Sequence, residues 1–218
     1  MAADENAPPS RALTDKGRME AFSDGVMGFA ITLLVIDIAL RPPGSPLHQF
    51  VQAWPSYLAY LVSFFTIGTV WIAHNGLTDG LERVDPIFLR LNLLFLLTIA
   101  FLPFPTRLVV EALGRGTGWE RLAAIVYGVT LLVTRLLFSA MGAYARRMGL
   151  RAAGGDDPDL QEARKKFRYV VIAYVGTILL GLALPSVAIF FYLAIAVYLF
   201  VPFGLVARDL FGRGGSPR

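Results

Sequence analysis

The chain contains no cysteine. That excludes disulfides, iron–sulfur clusters and thiolate metal sites, and leaves the redox compartment undetermined. Its two histidines are too few for a tight transition-metal site, so no metal or other cofactor is expected. The usual enzyme signatures are missing as well. There is no His-Glu-x-x-His zinc motif, no Gly-x-Ser-x-Gly elbow and no glycine-rich phosphate loop with its lysine. Ser23 stands beside Asp24, but neighbours on a helix point about 100° apart and do not form a catalytic pair by adjacency. The chain is therefore read as a non-enzyme, and no nucleic-acid partner is expected.

What the sequence has in excess is apolar surface. Hydrophobic residues fill 56% of the 218 positions, the composition of a helical membrane protein. Six spans of roughly 20 residues can be counted. The first runs from about Met19 to Leu40 and stops at the turn Arg41–Pro46. The second runs from Trp54 to Leu77, with Pro55 tolerated in the first turn. The third covers Pro86 to Glu111 and carries Pro103 and Pro105, and the fourth covers Trp119 to Tyr144. From Phe167 to Ala207 the chain is too long and apolar for one crossing. Leu184-Pro185-Ser186 divides it into two spans, with a re-entrant pair as the alternative.

The basic residues give an orientation. Arg83, Arg90, Arg146, Arg147, Arg151, Arg164, Lys165, Lys166 and Arg168 join those of the two termini on one side, against Arg41, Arg107, Arg115 and Arg121 on the other. The bias predicts an all-α, multi-pass cell-membrane protein with both termini inside. Residues 1–17 read as a disordered cytoplasmic tail, 18–210 as the membrane domain and 211–218 as a second tail. The N-terminal apolar run is too long for a cleavable signal and lacks a small-residue cleavage site. In the loop between spans four and five, Asp156, Asp157 and Asp159 read as helix capping, with Pro158 in the first turn, in preference to a calcium site. Arg164, Lys165 and Lys166 are expected to meet anionic lipid headgroups.

The most informative stretch is Arg18–Ile38. A polar cluster (Arg18, Glu20, Ser23, Asp24) enters an apolar helix with Thr32 alone in its middle, and a polar atom in hydrocarbon must face protein, water or an ion. At about 100° per residue, Phe22, Gly25, Phe29, Thr32 and Ile36 share one face, while Ser23 and Asp24 point away from it towards neighbouring helices. On span two, Trp71, His74, Asn75 and Thr78 share a face and read as an interhelical hydrogen-bond patch rather than a metal or proton site. Arg135, deeper in span four, is expected to snorkel or pair. Asp37 is expected near the outer end of span one.

These residues carry a resemblance. Arg18, three residues, then Phe22-Ser23-Asp24 resembles the defining motif of the transmembrane protein 175 family of potassium channels. The resemblance continues through Trp71, His74, Asn75, Asn92 and Phe101–Thr106, covering about the first 110 residues. Beyond them the agreement is in span number and hydrophobicity. It implies a bacterial-type member with one six-span unit per chain, assembling with itself as a homotetramer around a pore lined by span one, among membrane lipids, with potassium and other monovalent cations as permeants. The family lacks the Thr-Val-Gly-Tyr-Gly filter, as does this sequence. It implies instead an apolar constriction and a threonine layer, which fall here on Phe29, Thr32 and Ile36, and a polar network of Arg18, Ser23, Asp24, Trp71, His74 and Asn75. Two positions depart from the family pattern: Phe29 replaces an isoleucine or leucine, and Asn75 stands where a second histidine often follows. Two other readings remain open. One is a proton-coupled or ion-exchanging transporter using Asp24, His74 and Arg135 as a relay. The other is a structural or signalling membrane protein in which Thr32 is mere packing.

Overall fold

A computed structural model of the chain describes residues 16–36, 45–112, 117–151 and 160–200, with 160–164 and 166 described by backbone alone. The described residues form α1 (Lys16–Ile36), α2 (Pro46–Gln52), α3 (Trp54–Asp79), α4 (Pro86–Phe101), α5 (Pro103–Ala112), α6 (Thr117–Arg147), α7 (Leu160–Ala183) and α8 (Pro185–Phe200). Among them the sole β feature is an isolated bridge between Leu81 and Arg151. Asp37, the Arg41–Gly44 part of the first turn, the acidic triplet at 156–159, most of both tails and the end of the sixth span lie outside the described residues, as do the side chains of Arg164 and Lys166.

Among the described residues, four helical stretches are long and apolar enough to cross a membrane: α1, α3, α4 with α5 as one unit (Pro86–Ala112), and α6. Two shorter apolar helices, Phe167–Ala183 within α7 and the whole of α8, make up the remainder. At 1.5 Å per residue each of these two is roughly 25 Å long, near the lower limit for a hydrocarbon core of about 30 Å.

The breaks have local causes. Pro103 and Pro105 remove the amide hydrogens that Ile99 and Phe101 would receive, so the ladder tightens to a Leu102 N–H bond to the Ile99 carbonyl (3.1 Å) before α5 begins. Pro185 likewise opens α8 and leaves Leu184 outside either helix. The short α2 was not expected from the sequence; Ser45 caps it through the His48 amide (3.4 Å), and Pro46 takes the first position.

α6 is the central post, packing against α4, α5, α7 and α8, while α1 lies against α3 and α4. Close approach of α6 to α7 and α8 depends on Gly128. A methyl group there would overlap the Tyr192 hydroxyl and lie 2.6 Å from the Ile178 side chain. Tyr192 uses the space to donate to the Ala124 carbonyl at 3.1 Å. α6 ends at Gly149 (φ 61°), whose left-handed conformation lets the Leu150 amide reach back to the Ala145 carbonyl at 3.0 Å. Leu150 then accepts from the Glu82 amide (2.9 Å). Nearby, buried Asp85 caps α4 through the Phe88 amide (2.8 Å) and accepts from the Tyr144 hydroxyl (2.7 Å). One end of the bundle is thus fastened to the α3–α4 loop, which holds α3 and α4 in register beside α1.

Candidate functional site

α1 buries Met19, Ser23, Met27, Ala30 and Leu34, a stripe spaced by three and four residues. Almost everything on the opposite side is exposed in the single chain, with Phe22, Phe29 and Ile36 54%, 65% and 72% accessible and Gly25 and Thr32 exposed beside them. Thr32 lies about 200° around the helix from buried Ala30, near the middle of the open arc. Its hydroxyl donates to the Phe29 carbonyl of its own helix at 2.8 Å. The one O–H donor is therefore occupied, and the oxygen's remaining acceptor capacity is presented outward.

The closed side carries a directed chain of hydrogen bonds. Ser23 donates to the Met19 carbonyl (2.8 Å) and accepts from the Asn92 amide nitrogen (2.9 Å). The Asn92 oxygen in turn lies 2.9 Å from Nε2 of His74. With the amide in that orientation, His74 carries its proton on Nε2 and donates it to Asn92. All three side chains are buried, and the chain joins α1 to α4 and α4 to α3. The His74 ring is further stacked on Phe95, 5.5 Å between centroids and 4° from parallel. On the flank, the Trp71 indole N–H donates to Asp24 at 2.9 Å, a second link between α3 and α1.

Arg18 and Asn75 do not join this arrangement. Arg18 is exposed and Asn75 half-buried, and the side chain of neither hydrogen-bonds to a described residue; the Asn75 carbonyl accepts from Thr78 (3.2 Å). Asn92, in contrast, is the bridge of the whole chain. Sequence reading placed it only within the family resemblance, although an amide in the apolar run Leu91–Leu97 is itself a signal that a partner waits across the helix. No described hydrogen bond joins the three residues of the transporter relay to one another: Asp24 accepts from Trp71, His74 stacks on Phe95, and Arg135 lies beside Phe138, whose ring is 5.9 Å from that of Phe95. No cluster of metal-ligating residues occurs among the described residues.

Residues 18–103 match the family described as "Endosomal/lysosomal potassium channel TMEM175". A potassium channel of Streptomyces collinus is 38% identical over 178 residues, covering 80% of this chain and 85% of that protein. The endosomal/lysosomal proton channel TMEM175 of Gallus gallus is 37% identical over 107 residues, 44% of this chain and 21% of that protein. The crystal structure of a lysosomal potassium-selective channel TMEM175 homolog from Chamaesiphon minutus superimposes with a TM-score of 0.70 at 30% identity, covering 84% of this chain and 95% of that one.

Proposed function

Because this chain belongs to the TMEM175 family of channels, we propose that it is a potassium-permeable cation channel whose pore is lined by the open face of α1 from several copies, four in the favoured arrangement. The observation that carries this reading is that face itself. From Phe22 to Ile36 it is apolar, left uncovered by the described residues, and interrupted by one hydroxyl whose proton is already used. Ala21, Gly25 and Gly28 are exposed too, and a methyl group at either glycine would meet nothing within 4 Å inside the chain. Small residues with no packing purpose inside one protomer suit close approach between copies of α1.

Phe29 and Ile36 form apolar rings on either side of Thr32. A cation passing them sheds part of its hydration shell, and the Thr32 oxygens partly replace it. Potassium holds its water less tightly than sodium, so the exchange favours potassium. The Phe29 rings close the passage or turn their faces to the ion. The buried chain Ser23–Asn92–His74 and the Asp24–Trp71 bond hold α1 in the orientation that presents this face. The basic-residue bias supports six spans with both ends in the cytoplasm of a cell-membrane protein. α7 and α8 supply the two short crossings.

Single cysteines test the lining on a background free of native cysteine. Reagents entering the pore should modify positions 29, 32 and 36 and block flux, and leave 27 and 34 untouched. Reaction at 27 and 34 with silence at all three of the others would refute this assignment of the face.

A further inference from the structure

Arg135 is absorbed by none of the above. Its guanidinium carbon lies 5.9 Å from the Phe138 ring centroid on α6 and 5.7 Å from that of Phe167 on α7. Its Nε is buried without a hydrogen-bond partner, and no described carboxylate pairs with it. Two aromatic faces attract a cation but leave its planar N–H fork without acceptor oxygens. A half-buried guanidinium whose Nε is shielded and unpaired calls for an anion from outside the described residues.

Its position indicates which anion. Phe167 is the first residue of the apolar part of α7, directly after Arg164-Lys165-Lys166 and before Arg168. Lys165 and Arg168 are exposed. The guanidinium therefore lies against the point on α7 where apolar helix gives way to basic surface, so a lipid headgroup drawn in beside that surface is the nearest source of an anion. Leu136 and Ile172, exposed on α6 and α7, give the same two helices apolar surface for acyl chains. We propose that the α6–α7 seam at Arg135 binds the phosphate of an anionic membrane lipid, Arg135 donating to it from between the Phe138 and Phe167 rings while Lys165 and Arg168 add charge from the surface. A guanidinium fork matches phosphate geometry, and a ring-walled seam with no described carboxylate suits a headgroup whose tails remain in the bilayer. The topology proposed above makes this the cytoplasmic leaflet; the site itself depends only on the α6–α7 geometry.

The test uses the full-length protein in mild detergent, stripped of lipid and reloaded with phosphatidylglycerol or phosphatidylcholine, with bound lipid read by native mass spectrometry. The wild type should retain phosphatidylglycerol in preference to phosphatidylcholine. Arg135→Met should lower phosphatidylglycerol retention by about tenfold, the loss expected for a charge-assisted fork to phosphate, and leave phosphatidylcholine unchanged. The surface double substitution Lys165→Gln/Arg168→Gln leaves the buried seam intact and should lower retention several-fold in low salt and less in high salt. It therefore serves if Arg135→Met does not fold. Wild-type retention in the double variant at low salt, or in folded Arg135→Met, would overturn the proposal. Displacement of the lipid by millimolar inorganic phosphate would reassign the site to a soluble anion and overturn the lipid assignment. Because bound lipid is read rather than ion flux, this result and the channel reading can fail independently.

Discussion

The two sides of α1 place polar atoms in an apolar helix in opposite ways. On the closed side, Ser23 donates to the Met19 carbonyl of its own helix but is also linked to Asn92 and through it to His74, so each polar group has a partner on a different helix. On the open side, Thr32 is satisfied by its own backbone, is exposed, and hydrogen-bonds to no other described residue. The first arrangement fixes helix positions, because breaking it strands buried donors and acceptors. The second should cost the fold almost nothing to remove and leaves an oxygen facing outward, where the proposed channel places the ion. Stability and selectivity should therefore separate cleanly between the two faces.

Asn92→Leu should break the comparison hardest on the closed side. It strands the His74 donor and removes the donor to Ser23, at a cost of about 2–4 kcal/mol. Thermal unfolding in detergent should show that loss together with a smaller assembled fraction, while channels that still assemble keep their ion preference. A lost preference in well-assembled Asn92→Leu channels would mean that the network contacts the permeant ion.

Gly128→Ala sets a packing defect far from α1. The added methyl collides with Tyr192 and Ile178 and should destabilise by about 1–3 kcal/mol, again without changing selectivity. Equal permeability changes in Gly128→Ala and Thr32→Ala would show that selectivity follows general packing. Trp71→Phe is milder. It removes one partly exposed bond to Asp24, and its unfolding midpoint should report about 0.5–1.5 kcal/mol. A loss as large as that in Asn92→Leu would make the flank, rather than the buried chain, the main tie.

How much of this could be read in advance depended on what each residue reports. The open face of α1 followed from a period of about 100° per residue, because periodicity encodes direction, and the prolines at 103, 105 and 185 encode helix breaks through their missing amide hydrogens. The central role of Asn92 was not legible, since an amide's partners are fixed by three-dimensional register. Arg18 shows the converse: a motif residue whose side chain reaches no described neighbour, because a motif records which residue stands at a position and not what it touches in one subunit. The seven-residue α2 is too short for any periodic signal to separate it from the turn before it.

Thr32→Ala should cost the least stability, within about 0.5 kcal/mol as for exposed sites in general, and change function the most. Thr32→Ser keeps the hydroxyl and should behave as the wild type. The direct test of the division between the faces is the bi-ionic reversal potential, potassium against sodium, of Thr32→Ala and Phe29→Ala beside assembled Trp71→Phe channels. The account predicts that the potassium-to-sodium permeability ratio falls in both open-face variants, with a higher conductance in Phe29→Ala, and stays at the wild-type value in Trp71→Phe. Unchanged ratios in both open-face variants, or a fall in Trp71→Phe alone, would contradict it.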